Sequence, residues 1–253
     1  ALNYDPLATV DDSSCCYNLS FSKIGQNING EYANDKSGFS VDISSDGNIV
    51  AIGAKGNDAN GNDAGHVRVY ENIGGSWIQI GQDIDGNSGE YFGESLSISN
   101  DGNTIAIGGY GPSGWSGVVR VYQRISNNWN LQFSTNGPSG SFFGQSVSLS
   151  GDGSTLAVGA GSDASGTGIT RIWKLNQGNL LSGSITGEGW QDHSGAGPNS
   201  ISLNENGNYL AIGASGNNGN GSSSGHVRVY NYNGSSWSQI GQDIDGEAAR
   251  KIY

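Results

Sequence analysis

Two short stretches of this chain concentrate residues that can bind ligands. The first is the loop from Asn57 to Asp63, in which oxygen-bearing side chains alternate around Gly61. Short loops of this kind can wrap oxygen ligands around a hard cation such as Ca²⁺. The predicted metal ligands are Asp58, Asn60, Asn62 and Asp63. The similar loop at residues 217–222 has no carboxylate, so a plain hydrophilic turn is the alternative interpretation.

The second stretch runs from Gly189 to Ser194 and places an Asp, a His and a Ser side by side. Such a trio suggests a hydrolase, but no G-x-S-x-G motif lies in the context of a nucleophile elbow, and contiguous loop residues rarely form a triad. We therefore predict no catalytic residue. Aromatic rings beside polar groups instead suit sugars or protein surfaces. The predicted ligand-binding residues are Tyr110, Trp115, Trp190, Asp192 and His193; rings that merely cap their own sheet are the alternative.

The composition excludes several classes of protein. The 11 Lys and Arg against 23 Asp and Glu give a formal net charge of −12, whereas nucleic-acid binding needs a basic surface. No apolar run approaches the ~18 residues of a membrane span. The 6 Trp and 11 Tyr argue against a disordered linker. The chain has no initiator Met and no signal peptide, so we expect a processed chain or an internal fragment.

The elements that position these residues come from an internal repeat of about 50 residues. Four segments align with one another, at residues 37–54, 92–109, 143–160 and 198–215. Each is followed by a GHVRVY-like segment, at 65–70, 117–122, 168–173 and 225–230. A third segment of the form SWIQIGQDIDG recurs at 76–86 and 236–246, with a weaker match at 128–137. The chain is therefore built from four copies of one structural unit.

Each unit is predicted to form four short strands. Apolar residues alternate with small or polar ones in Ser146–Ser150 and Thr155–Gly159, and Asp152-Gly153 between them signals a tight hairpin. A third strand is predicted at Val67–Tyr70 and a fourth from Trp77 to Ile84. We predict an all-β protein, a β-propeller of four-stranded antiparallel blades, with a β-solenoid as the alternative. The predicted blades span about residues 37–86, 92–137, 143–186 and 198–246.

A further copy of the fourth-strand pattern precedes the first blade, at residues 21–31. We expect it to form an orphan outer strand over Phe21–Ile28, within a propeller domain at residues 19–253. The strand would complete a blade whose inner strands lie elsewhere or pair with the last blade. Residues 1–18 are predicted to be a separate linker or partial repeat.

Several charged residues recur at fixed repeat positions. An arginine occupies each predicted third strand, at Arg68, Arg120, Arg171 and Arg228. Asp83 and Asp85 recur as Asp243 and Asp245, and His66 recurs as His226. Features repeated between blades are normally packing devices, and the arginine fork can pair with a carboxylate of a neighbouring strand or blade. We interpret this pattern as structural.

The segments FGESLSISNDGNTIAIGG (92–109) and FGQSVSLSGDGSTLAVGA (143–160) resemble the FG-GAP repeat, the blade unit of integrin-α-type propellers and many secreted bacterial proteins. The resemblance covers about residues 37–246. It implies extracellular adhesion or ligand binding, often with calcium in the blade loops. The family's Asp-x-Asp-x-Asp-Gly loop is replaced here by tight turns such as Asp101-Gly102. One carboxylate per turn cannot supply the six to eight oxygens that Ca²⁺ takes, so the family's calcium sites do not transfer to these turns.

Residues 2–17 resemble the end of an Asp-rich, Cys-bridged repeat of thrombospondin type 3 character. The resemblance implies that Asp5, Asp11 and Asp12 ligate calcium in an intact repeat; a solvated linker is the alternative. Cys15 and Cys16 are adjacent and cannot form a normal bridge with each other. At least one is expected to pair upstream or between chains.

These observations predict a secreted or cell-surface module for binding or adhesion, without catalytic activity. Its expected ligand is a glycan or a protein surface, with no nucleic acid and no membrane span. Calcium is a possible cofactor, and self-association through the orphan strand or an unpaired cysteine is a further expectation. A structural subunit of a surface fibre or layer, and a propeller hydrolase or lyase, are the alternatives.

Overall fold

The computed structural model describes residues 22–111, 116–162, 166–176, 179–180 and 184–247. These residues form four antiparallel sheets that follow one another along the chain, and within each sheet the first four strands pair in sequence order. In three of the sheets a fifth, short strand pairs with the third strand. No helix occurs within these ranges, and accordingly none that could cross a membrane is found among them. The predicted all-β class is confirmed.

The four sheets repeat one strand pattern. Sheet I contains β1 (Ser37–Ile43), β2 (Ile49–Ala54), β3 (His66–Ile73), β4 (Ser76–Gln79) and β5 (Ile84–Asp85). Sheet II contains β6 (Ser95–Ile98), β7 (Thr104–Gly109), β8 (Val118–Ile125) and β9 (Asn128–Asn136). Sheet III contains β10 (Phe143–Leu149), β11 (Thr155–Ala160), β12 (Ile169–Lys174), β13 (Asn179–Leu180) and β14 (Ile185–Thr186). Sheet IV contains β15 (Ile201–Leu203), β16 (Tyr209–Ala214), β17 (His226–Tyr232), β18 (Trp237–Gln239) and β19 (Ile244–Asp245).

The fourth strand predicted from Trp77 to Ile84 is instead two strands. β4 ends at Gln79, and β5 returns to pair with β3 through Ile84 and Val67. The chain turns between them at Gly81, whose φ of 75° is in the left-handed region that favours glycine. Ile80 and Ile84 are both buried on either side of this turn. The turn at Gly81 therefore allows both isoleucines to be buried. The alternation of apolar and polar residues in the sequence did not indicate this turn.

Neighbouring sheets pack face to face in chain order, and the Phe-Gly and Gly-Ala motifs lie where they meet. Phe92 and Phe143 are fully buried in the core between sheets. The backbone of Gly53 in sheet I lies close to that of Gly93, which precedes sheet II. A Cβ at Gly53 would lie 2.4 Å from the Gly93 carbonyl oxygen. The motif glycines are thus required by close backbone approach between sheets.

A polar side chain on the first strand links each sheet to the next. The Ile98 amide donates to Asp42 Oδ2 at 2.8 Å, and the Leu149 amide donates to Ser97 Oγ at 3.0 Å. The same bond joins the Leu203 amide to Ser148 Oγ at 2.9 Å. Asp42, a carboxylate on an inner strand, therefore has a structural role in sheet-to-sheet packing.

The recurring arginines pair with carboxylates as expected in three of the sheets. Arg120 binds both carboxylate oxygens of Glu90, at 2.7 and 2.6 Å. Burial would raise the pKa of Glu90, but the hydrogen bonds from Arg120 and from Asn87 hold it below its ordinary value. Looser pairs join Arg68 to Glu31 and Arg228 to Glu188, at 3.4 and 3.5 Å.

The expected orphan strand is not a strand within residues 22–36. Gln26 instead exchanges two hydrogen bonds with the backbone of Trp77, and the Trp77 indole donates to the Ile24 carbonyl at 3.0 Å. Gln82 and Trp129 make the same contacts between sheets I and II. Residues 24–26 therefore lie against sheet I in the way that residues 80–82 lie against sheet II, as a link between blades. Their hydrogen bonds to Trp77 take the place of strand pairing. Phe21, Cys15 and Cys16 lie outside the described residues.

Candidate functional site

The loop predicted to bind a metal satisfies its polar groups internally. The Asp63 amide donates to Asp58 Oδ1 at 2.7 Å, and Asn60 Nδ2 donates to the Gly86 carbonyl at 2.7 Å. Asn62 Nδ2 donates to Asp63 Oδ2 at 3.0 Å. The four predicted ligands are therefore partly used in fixing the loop itself.

The corresponding loop of sheet IV has the same fold without a carboxylate. The Ser223 amide donates to Asn218 Oδ1 at 2.8 Å, as the Asp63 amide does to Asp58. Asn220 Nδ2 donates to the Gly246 carbonyl at 3.2 Å, as Asn60 does to Gly86. An amide thus replaces Asp58 without changing the loop, so the loop geometry does not depend on a bound cation. Calcium binding by the first loop stays a prediction.

The side chain of Asp192 points back into the loop that contains it. The carboxylate is 2% exposed and accepts hydrogen bonds from the backbone amides of Glu188 and Gly189, at 2.8 and 2.6 Å. His193 Nδ1 lies 3.1 Å from the Gly161 carbonyl oxygen. Asp192 therefore stabilises the link before sheet IV, and these contacts give no sign of an Asp-His-Ser relay.

The structure also gives His193 counterparts in the other blades that differ from it in residue type. His193, Tyr91 and Phe142 each immediately precede the first Gly-containing pair of a blade and have positive φ values of 52°, 50° and 52°. A non-glycine residue in this region is uncommon and costs energy, so its recurrence indicates a common backbone shape. The same shape includes Lys36, with φ of 56°. His193 therefore occupies the same repeat position as two aromatic residues.

Tyr91, Tyr110 and Phe142 form a row of partly exposed rings, which we call the aromatic ridge. The Tyr91 and Tyr110 rings are stacked with centroids 6.2 Å apart, and Phe142 meets Tyr110 edge-on at 6.0 Å. These spacings are those at which aromatic pairs attract one another. The ridge forms because Tyr110 ends the Gly-Ala-like segment of sheet II, while Phe142 begins the next blade.

Charged groups flank the aromatic ridge. Tyr91 Oη donates to Asp63 Oδ2 at 3.1 Å, and this hydrogen bond raises the pKa of Tyr91. Burial, with the nearby Glu94 carboxylate, raises the pKa of Tyr110. Glu94 is itself paired with Lys55 at 2.7 Å, and Lys55 lies 3.5 Å from the centre of the Phe39 ring. The ridge therefore offers flat apolar surfaces beside Asp63, which is partly exposed, whereas Glu94 is buried.

The structure joins some of the predicted site residues and separates others. Tyr91 links Asp63 of the predicted metal loop to Tyr110 of the predicted ligand site. Trp190 is 71% exposed, on the link before sheet IV. Trp115 lies outside the described residues. The sequence analysis did not select Tyr91 and Phe142, because each lies directly before a recurring Phe-Gly pair and was not separated from that motif. Both are aromatic at the same repeat position, and this is the signal that could have identified them.

Comparison with known proteins supports the fold and leaves the activity open. No family model matches the chain, and neither does any curated protein. A solved structure of a candidate 6-phosphogluconolactonase from Bacteroides uniformis is similar over 82% of this chain and 55% of that one, with 14% identity and a TM-score of 0.56. TolB from Acinetobacter baumannii is similar over 79% of this chain and 42% of that one, with 14% identity and a TM-score of 0.45.

The chain thus spans about half the length of the solved structures it resembles. Identity this low shows a shared fold alone. The repeated antiparallel sheets packed in chain order agree with this likeness. The fold of the chain is that of a β-propeller.

Proposed function

We propose that the chain is a non-catalytic binding module of a secreted or cell-surface protein, and that it recognises a glycan through the aromatic ridge. The single observation that supports this proposal is the ridge itself, in which three rings are held in contact on positions that fold stability alone does not require to be aromatic. The position of Tyr91 and Phe142 is occupied by Lys36 and His193 in the other two blades. The position of Tyr110 is occupied by Lys55, Gly161 and Ser215. Aromatic surface beside acids favours sugars, and the same surface would suit a protein loop less specifically.

The absence of catalysis is part of the proposal and is supported by how the acids are used. Asp42 accepts an amide of the neighbouring sheet, Glu94 pairs with Lys55, and Asp192 caps its own loop. These three acids are engaged within the fold, whereas a catalytic site needs ionisable groups that are free to face a substrate. The likeness to a candidate 6-phosphogluconolactonase rests on the fold, so its activity is not extended to this chain.

Membership of the FG-GAP family and an adhesive role remain parts of the same proposal. They are supported by the Phe-Gly and Gly-Ala motifs, whose glycines meet between neighbouring sheets. Calcium in the Asp58–Asp63 loop is not required by the proposal, since the matching loop of sheet IV folds with amides.

The test is binding of the labelled full chain to a glycan array, with ridge variants beside the wild type. Tyr110→Ala removes the central ring and should weaken binding about tenfold or more, because buried aromatic contacts of this kind contribute about 2 kcal/mol. Tyr91→Phe keeps the ring and removes only the hydroxyl bonded to Asp63, so it should retain most of the binding.

Tyr32→Ala is the matched control, because Tyr32 is 76% exposed and lies on the link before sheet I. Melting temperatures measured on all variants separate loss of fold from loss of contact. Unchanged binding by Tyr110→Ala, or an equal loss on Tyr32→Ala, would exclude the ridge as the site. Binding to protein-coated and not to glycan-coated surfaces would replace the glycan with a protein ligand.

A further inference from the structure

Two clusters outside the aromatic ridge bring a histidine together with two carboxylates. One consists of Glu31, His66 and Asp83, and the other of Glu188, His226 and Asp243; in each, one possible ligand atom from every residue lies within 4.8 Å of the others. In sheet I, His66 Nδ1 lies 3.9 Å from Asp83 Oδ2 and 4.0 Å from Glu31 Oε2. In sheet IV, His226 Nδ1 lies 3.3 Å from Asp243 Oδ2.

The two clusters are built by the same elements. The histidine is the first residue of β3 or β17, and the aspartate directly precedes β5 or β19. The glutamate follows the glycine that opens the link before the sheet. Even the surrounding contacts repeat: Arg68 donates to the Asn29 carbonyl and Arg228 to the Thr186 carbonyl, both at 2.8 Å.

The three residue types occur together or not at all. Sheet II has none of them at the corresponding positions, which are Asn87, Val118 and Ser134. Sheet III has none either, and its corresponding residues are Pro138, Ile169 and Ser184. The arginine, in contrast, is present in all four sheets. A general packing device would recur like the arginine, whereas joint presence indicates a joint function.

The histidines supply a second, independent observation. Both side chains are 1% exposed, and His66 Nδ1 and His226 Nε2 are buried without a hydrogen-bond partner. Burying an unpaired polar nitrogen costs about 1–3 kcal/mol, and such groups are rare in native proteins. In sheet I the unpaired nitrogen faces the two carboxylates, whereas in sheet IV the nitrogen that faces Asp243 is Nδ1 and the unpaired one is Nε2.

The spacing of these atoms suits a metal ion. Ligand bonds of about 2.0–2.1 Å in a tetrahedral zinc site place neighbouring ligand atoms about 3.3–3.4 Å apart. The observed nitrogen-to-oxygen distances of 3.3 to 4.0 Å need only small side-chain movements to reach this value. The carboxylates remain partly exposed, at 35% for Glu31 and 32% for Asp83, so water can fill a fourth position.

We propose that each cluster binds one divalent transition-metal ion of the Zn²⁺ type through one histidine nitrogen and two carboxylates. Mixed nitrogen and oxygen ligands of this kind suit zinc and its neighbours better than calcium. The ion would fasten the link before a blade to the third strand and the final short strand of that blade. The two sites would lie in the first and last sheets of the row.

The local charge supports a cation at this position. Arg68 contacts Glu31 through Oε1, while Oε2 is the oxygen nearest His66. Asp85, which lies opposite His66 in the pairing of β3 with β5, adds a third carboxylate in sheet I. A bound divalent ion would offset the mutual repulsion of these acids.

The experiment is calorimetric titration of the full chain, stripped with chelator, with ZnCl₂. We expect two ions per chain, and we expect Co²⁺ in the same sites to give the visible absorption of a low-coordinate complex. His66→Val and His226→Val adopt the residue that sheet II already has at this position, Val118. Each should lower the stoichiometry to one ion, and the double variant should bind none.

Asp83→Ser introduces the residue that sheet II has at this position, Ser134. It should also lower the stoichiometry to one ion. Because Asp83 is partly exposed, this variant tests the site even if replacement of the buried histidine prevents folding. Asp58→Ala is the matched control and should leave two ions bound, because it lies in the other candidate loop. The proposal is overturned if the wild type shows no saturable zinc binding, or if the double histidine variant still binds two ions.

Discussion

At the scale of single residues, the turn aspartates show how one carboxylate can organise a hairpin. Asp46 accepts hydrogen bonds from Ser44 Oγ and from the amide and side chain of Asn48. Asp101 and Asp152 have the same set of contacts with Ser99, Asn103, Ser150 and Ser154. The Asp-Gly pairs predicted these turns from the sequence, and Gly47, with φ of 74°, has the expected left-handed backbone.

The turn aspartates predict acid lability over a defined pH range. Hydrogen bonds from Ser44 and Asn48 lower the pKa of Asp46 from 3.8 to about 2, and similar bonds lower those of Asp101 and Asp152 against the effect of burial. A lowered folded-state pKa stabilises the fold above the unfolded value, and this stabilisation is lost as the pH falls through the folded value. Urea unfolding should therefore show a steady loss of stability from about pH 4 to pH 2.

Replacing Asp46, Asp101 and Asp152 by Asn should flatten this part of the pH profile. The turn of sheet IV already has Asn206 at the corresponding position, so the amide is compatible with the fold. An unchanged slope between pH 4 and pH 2 in the triple variant would mean that other carboxylates cause the acid response.

At the scale of elements, periodicity and turn signals predicted most strands, because alternation and Asp-Gly pairs are local features of the sequence. The split of the predicted fourth strand was not predictable, since it depends on burying Ile80 and Ile84 against the next sheet. The aromatic ridge was predicted only through Tyr110, because Tyr91 and Phe142 become its neighbours by packing between blades. The counterparts of His193 share its backbone shape but differ in residue type, so residue identity at that position did not reveal them.

Close approach between sheets predicts a contrast between two equivalent glycines of the second strands. A Cβ at Gly108 would lie 2.2 Å from the Gly144 carbonyl oxygen, whereas a Cβ at Gly213 would find its nearest atom, the Ser200 carbonyl oxygen, at 3.6 Å. Gly108→Ala should therefore destabilise by about 1–3 kcal/mol or more through overpacking. Gly213→Ala should leave the free energy of unfolding unchanged or raise it by up to about 1 kcal/mol, because alanine lowers the conformational entropy of the unfolded chain.

Chemical denaturation of both alanine variants measures this difference directly. The pair is well matched, because neither glycine has a positive φ and both occupy the same position in β7 and β16. Equal free energies of unfolding for the two variants would show that the sheets do not meet at the motif glycines.

At the scale of the whole molecule, the four sheets form a row whose two ends differ from its interior. Ile84 is 3% exposed between sheets I and II, whereas its counterpart Ile244 in sheet IV is 61% exposed. At the other end, β1 exposes Val41 and Ile43 by 63% and 52%. The aromatic ridge lies along the packed interior, where sheets I to III meet, so its rings are held by contacts that the ends lack.

The central claim is that this interior ridge is the binding surface. The most direct measurement is amide hydrogen exchange of the full chain with and without the best-binding array glycan. We expect protection concentrated in residues 89–93, 109–111 and 140–144, which contain the three ridge aromatics. Protection confined to the Asp58–Asp63 loop or to the 188–193 link, with no change at the ridge, would contradict the claim.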